Sequence, residues 1–260
     1  MKKILLALIL LTGFIAQAQN KSSIIYDENA QKRNVPSFAA IKVSNAIDLY
    51  ITQSDKTDVA VSATTDEVVK HIVTEVVGGT LIIRMSDDQS WWNWKKWGNT
   101  KAKAYVSVKE LNAITASGAC NIRVIDKLES PKLKIKLSGA TDLKGDFEVG
   151  YLSMSVSGAS DCKADVKANT LALDISGASS VELKGSSDDL SVEVSGASDA
   201  KLFNLNVKGA IVEVSGASSA KVTVSQLLKA QASGASSVEY KGEASVKESS
   251  SGASSVKRRN

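Results

Sequence analysis

The chain has 260 residues, with 32 basic and 28 acidic side chains and a formal net charge of +4. Charge this evenly balanced excludes an electrostatic binder of nucleic acid. One histidine and two cysteines, with no nucleophile elbow, phosphate-binding loop or calcium-repeat motif, leave no recognisable enzyme constellation, so no cofactor or metal is expected.

Lys2 and Lys3 precede an apolar run from Ile4 to Ile15, and Ala16-Gln17-Ala18 follows as a small-residue cleavage site. This is the pattern of a secretory leader, residues 1–18, cut before Gln19. Its removal leaves 30 basic against 28 acidic residues. No later stretch is apolar enough for a transmembrane helix. The chain is therefore expected to be exported, to the periplasm, the outer-membrane surface or the medium. Residues 19–34 read as a flexible segment, 35–256 as one domain and 257–260 as a basic tail.

Residues 35–110 have strand character without a clean repeat. Phe38 to Ile51 reads as a degenerate coil cornered at Ser44-Asn45-Ala46, and Val59 to Ala63 as a strand. Asp66 to His71 suggests one helical turn. Ile72 to Val77 and Leu81 to Met85 suggest a hairpin around Gly78-Gly79. These elements are expected to form irregular first coils that also cap the core.

From 111 to 256 the sequence repeats. Ser-Gly-Ala starts at Ser117, Ser138, Ser157, Ser176, Ser195, Ser215, Ser233 and Ser251, at gaps of 21, 19, 19, 19, 20, 18 and 18 residues. Near-constant spacing of this kind marks a stacked-repeat fold. Before each tripeptide, apolar residues alternate with polar ones, as in Leu171, Leu173 and Ile175 against Ala172 and Asp174. Period-2 alternation denotes strands with one buried face. The alternation resumes after the tripeptide, where Leu143, Cys162 and Val181 are inward and Lys144, Lys163 and Glu182 outward. Each repeat reads as two short strands joined at Ser-Gly-Ala, followed by a loop such as Lys184-Gly-Ser-Ser. The fold is predicted to be all-β, a single-stranded parallel β-helix (β-solenoid) of about ten or more coils spaced about 4.8 Å apart.

Cys120 falls in a column of Ser and Thr, and Cys162 in an apolar column two coils away. Two coils span about 9–10 Å, beyond the ~7 Å Cα limit of a disulfide. Two free, buried thiols are expected. The last coil carries Glu248 and Ser250 in inward columns, a polar end that blunts an open edge.

Two clusters stand out as candidate sites. Trp91, Trp92, Trp94 and Trp97, with Lys95 and Lys96, hold all four tryptophans within seven residues. Clustered aromatics of this kind stack on sugar rings, enter a partner's groove, or fold back over the end of the core. Asp142, Lys144 and Asp146 are expected to stack over Asp161, Lys163 and Asp165, as a solvated face or as a lyase-like or calcium-binding patch. His71 has no cysteine or acidic cluster at ligand spacing and is expected to have no chemical role.

Phe38-x-x-Ile-x-Val-Ser-x-Ala-Ile-Asp-Leu-Tyr-Ile-Thr-Gln, then Leu81-Ile-Ile, then Leu111-x-x-Ile-x-x-Ser-Gly-Ala and repeated Ser-Gly-Ala-Ser resemble the auto-transporter adhesin, head GIN domain family over about residues 35–255. The resemblance implies a β-helical envelope or secreted protein of Bacteroidota with an adhesive role, and it brings no catalytic residues. The leading expectation is a non-catalytic surface-binding protein. Its expected partner is a glycan, an envelope protein or a second copy. A polysaccharide lyase or hydrolase on a β-helix, or a self-associating envelope module, is the alternative.

Overall fold

The computed structural model describes residues 27–86 and 101–260. The leader, residues 19–26 of the segment up to residue 34, and the Trp cluster lie outside the described residues. In chain order the strands are β1 (Gln31–Arg33), β2 (Ala40–Val43), β3 (Ile47–Gln53) and β4 (Asp58–Ala63). Helix α1 (Asp66–Lys70), β5 (Ile72–Val77), β6 (Thr80–Met85), β7 (Ala102–Val108) and β8 (Ala113–Ala116) follow. Next come the long strands β9 (Asn121–Leu137), β10 (Asp142–Val156), β11 (Asp161–Ile175), β12 (Ser180–Val194), β13 (Asp199–Val214) and β14 (Ser219–Ala232). The chain finishes with β15 (Ser237–Lys241), β16 (Ser245–Ser250) and β17 (Ser255–Arg258).

The strands stack in parallel as a β-solenoid of about eight turns of about 19 residues. Register between coils follows the repeat. Leu133, Leu152, Leu171, Leu190, Ala210 and Leu228 form one continuous ladder through the core. All six are buried. A fully buried leucine is worth about 2 kcal/mol against exposure, and only stacking buries both axial sides of each coil.

The corners explain Ser-Gly-Ala. Its eight glycines have φ between +75° and +88°, a region that admits glycine most readily. They also touch: a Cβ built on Gly139 would lie 2.5 Å from the Gly118 carbonyl oxygen. The alanine N–H after each glycine donates to the glycine carbonyl of the preceding coil, for example Ala140 to Gly118 at 2.7 Å and Ala178 to Gly158 at 2.8 Å.

Two expectations need correction. Lys184-Gly-Ser-Ser is not a loop: β12 runs unbroken from Ser180 to Val194, pairing with β11 and β13 through this segment. Gly185, at φ +116°, bends the strand without ending it. The number of turns is about eight, below ten, because part of 38–110 goes to strands of opposite direction.

Those strands build the first end. The rung β2–β3 lies between β6–β7 outside and β8–β9 inside, so rung order departs from chain order. β4 pairs antiparallel with β7, β5 with β6, and β1 with β4. The anticipated hairpin at Gly78-Gly79 and helical turn are present. Thr65 caps α1 by accepting from the Val68 N–H, and Val68 and Val69 are buried against the core. Gln31–Arg33, within the stretch expected to be flexible, is held as a strand. Asp27 accepts from Lys103 Nζ at 3.0 Å and from Ser62 Oγ at 2.9 Å. The Lys103 ammonium in particular holds the Asp27 carboxyl below its ordinary pKa.

Candidate functional site

The column of Ser and Thr that holds Cys120 acquires a role in the structure. The residue three after each corner Ser is Cys120, Thr141, Ser160, Ser179, Ser198, Ser218, Ser236 or Ser254. The first seven are buried. Thr141 Oγ1 donates to the Ser138 carbonyl at 2.8 Å, and Ser160 Oγ to that of Ser157 at 2.9 Å. Ser198 Oγ accepts from the Ser179 N–H at 3.3 Å and donates to the Gly177 carbonyl at 3.2 Å. A hydroxyl ladder therefore closes the corners from inside, which satisfies buried backbone groups. The corner serines themselves are secondary; Ser157 Oγ donates to the Leu137 carbonyl at 3.3 Å.

Cys120 occupies this ladder and donates its thiol to the Ser117 carbonyl at 3.3 Å. Cys162 sits in an apolar column between Leu143 and Val181. Both are free and buried, as expected. Burial pushes the Cys162 thiol up to about 12 and raises that of Cys120, so neither is a nucleophile.

The outward charges stack as the spacing implied. Asp142 pairs with Asp161, Lys144 with Lys163, and Asp146 with Asp165. The next coil pairs with two of them: Lys184 lies 3.0 Å from Asp165, and Glu182 lies 3.5 Å from Lys163. Lys144, Lys163, Asp165, Glu182, Lys184 and Asn204 line an open groove of about 350 Å³. Among the described residues no group of three or more His, Cys, Asp or Glu side chains converges on a point. In this groove each carboxylate faces an ammonium, which suits recognition of a neutral polar ligand better than proton abstraction.

A second groove of about 440 Å³ follows the bend at Gly185. Asn169, Ser186, Asn206, Thr223 and Ser225 line it, beside Lys208, whose Nζ lies 2.6 Å from Asp188. It arises where strands expected to break instead continue through a concave bend. Glu148 ties the rungs next to it, lying 2.9 Å from Lys127 and 2.7 Å from Lys167. Those two ammoniums bring its carboxyl down from 4.5 to about 2. His71 is part of the first end, with Nδ1 3.2 Å from Ser86 Oγ. Trp91, Trp92, Trp94, Trp97, Lys95 and Lys96 lie outside the described residues. No described helix is long and apolar enough to cross a membrane.

A family model described as "Putative auto-transporter adhesin, head GIN domain" matches residues 37–244. No curated protein is similar to the chain. Solved structures are. A protein of Parabacteroides distasonis described as a "putative lipid binding protein" aligns with a TM-score of 0.78 and 22% identity, covering 90% of this chain and 98% of its own. A "putative adhesin" from Parabacteroides merdae aligns with a TM-score of 0.79 and 20% identity, over 89% and 95% of the two chains. Another adhesin-type structure from P. distasonis has a TM-score of 0.78 and 25% identity over 88% and 96%.

Proposed function

This chain belongs to the auto-transporter adhesin, head GIN domain family, and on that premise we propose that it is an exported, non-catalytic binding protein that attaches to a glycan or envelope surface. The observation that carries the reading is the wall itself. Continuous ladders repeat each outward position every ~4.8 Å, giving a rigid, polar, regularly spaced surface of the kind that meets an extended polymer. Two grooves of amide, hydroxyl and paired charged groups run along it.

The aromatic contact would come from Trp91, Trp92, Trp94 and Trp97. They lie in the connection between β6 and β7, the outer rung of the solenoid's first end. Stacking on sugar faces, with Lys95 and Lys96 beside the rings, is the proposed mode. The rung-by-rung pairing of Asp165 and Lys163 supports a binding reading over a lyase.

The test is a glycan array and an envelope pull-down with the exported protein. Wild type is run beside a folded variant with all four tryptophans changed to alanine. Vesicles are included because one structural relative is described as lipid binding. Binding that disappears in the variant supports the proposal, whereas equal binding in both removes the tryptophans from it. Cleavage of an acidic polysaccharide, abolished by Asp161→Ala and Lys163→Ala, would replace the proposal with the enzyme reading.

A further inference from the structure

The second halves of β9 to β13 form one side of the solenoid on which outward charges are sorted. The first rung shows Lys132, Lys134 and Lys136. In register above them, the second rung shows Tyr151, Ser153 and Ser155, and the third Thr170, Ala172 and Asp174. The fourth rung shows Asp189, Ser191 and Glu193, and the fifth Gly209, Ile211 and Glu213. Over these five rungs the face is basic first, mostly small and uncharged in the middle, and acidic in the fourth and fifth; the next rung, on β14, shows Leu227, Lys229 and Gln231.

Like charges stack elsewhere too, as Asp142 over Asp161 and Lys144 over Lys163. Around the Gly185 bend, however, opposite charges of neighbouring rungs pair within the chain, as Lys163 does with Glu182, Lys184 with Asp165, and Lys208 with Asp188. Among the described residues, none of Lys134, Lys136, Glu193 and Glu213 takes part in an ion pair. Like charges in adjacent rungs, as in Glu193 beside Glu213, cost stability.

We propose that this face is an antiparallel dimer interface whose occupant is a second copy of the same chain. Place a twofold axis parallel to the strands, midway between the two copies' faces and above the junction of β10 and β11. The columns then face themselves with rung order inverted. Lys136 meets Glu193 of the other copy, and Lys132 meets Asp189, each contact occurring twice. Ser153 meets Ala172 at the centre, where small side chains allow two sheets to approach to about 10 Å. One rung further out, Ile211 meets Ala113, which pairs with Lys134 in the ladder below. Ile211 is 46% exposed, an unusual position for a large aliphatic side chain, and the second copy covers it. A parallel arrangement would set Lys132 against Lys136 and is excluded by charge. The patch is five or six short rungs deep, smaller than the ~800 Å² per partner of a stable dimer. The pairing is therefore weak and salt-sensitive. It involves none of the tryptophans and stands or falls independently of the ligand-binding proposal.

Sedimentation velocity on the exported, purified chain over a concentration series tests this at about 20 mM and about 500 mM salt, which differ in screening length. The expected result is a monomer–dimer equilibrium at low salt that weakens at high salt. Lys136→Glu alone and Glu193→Lys alone each raise the dimer Kd at least about tenfold. The double variant restores dimerisation, because its exchanged charges face each other across the twofold. Circular dichroism and melting curves show that all three variants fold. A monomer at every concentration, a dimer indifferent to both single reversals, or a double variant as weak as the singles each overturns the proposal.

Discussion

The regular stack from β9 onward and the first end built from β1 to β7 use the same kind of strand for different tasks. In the stack, every corner has one solution: a glycine at positive φ, an N–H to the glycine carbonyl below, and a hydroxyl inside the bend. At the first end, the equivalent corner places Asn45 and Ala46 at φ +64° and +59°. There strands run antiparallel, and Arg33 keeps a buried Nε without a hydrogen-bond partner among the described residues, while its Nη2 donates to the Val69 carbonyl. Repetition allows each coil to be completed by its neighbour. An end has only one neighbour and must be closed by α1 and by strands of opposite sense.

The corner gives the largest way to break this comparison. Gly196→Val places a branched side chain at φ +76°, with its Cβ 2.6 Å from the Gly177 carbonyl oxygen. A loss of about 3 kcal/mol or more is expected by urea unfolding. Ala46→Gly should do the reverse, gaining about 1 kcal/mol by relieving a left-handed alanine. Opposite signs at the two corners are the point, and a stabilised Gly196→Val would refute the account.

Val69→Asp, which buries an unpaired charge under α1, is expected to cost about 3 kcal/mol. Hydrogen exchange should show the damage in β4, β5 and α1, with the stack protected. Uniform loss of protection would mean that the end and the stack unfold as one unit. Ser198→Ala removes the hydroxyl that accepts from the Ser179 N–H and is expected to cost about 1–2 kcal/mol. Ser198→Cys should cost less, since Cys120 already fills this column. The two variants melting alike would argue against the ladder.

The smallest effect is electrostatic. The folded carboxyl of Glu148 titrates at about 2, below its ordinary 4.5. Its contribution is therefore complete above the ordinary value and lost as pH falls from about 4.5 through about 2. Melting curves across this range should fall less steeply for Glu148→Gln than for wild type. Salt should shrink the difference, since the group is partly exposed.

Much of this was legible because a parallel solenoid writes its geometry locally. The Ser-Gly-Ala spacing stated the coil length, and the alternation around it marked Leu171, Leu173 and Ile175 as core before any pairing was known. Free thiols followed from two columns and a rise. The stacked Asp142–Asp161 and Lys163–Glu182 registers followed from the same arithmetic. The column of Ser and Thr was visible in the repeat, but its hydrogen bonds were not, because alternation alone assigns polar residues such as Ser179 and Ser198 outward. Only a hydrogen-bond partner inside the corner reverses that assignment. The Lys184-Gly-Ser-Ser segment was misread because glycine beside serines has the composition of a turn, whereas its backbone is held in register by strands on both sides.

By itself, the sequence determined the architecture, the coil length, the inward columns and the corner, because each is a property of one repeat stacked on a copy of itself. Tertiary structure alone decided that β6–β7 lie outside β2–β3, that β4 and β5 run backwards, and that sorted charges share one flat side. The reason is physical: a strand's own alternation fixes which face it buries, but its direction and its neighbour depend on edges supplied by residues far along the chain.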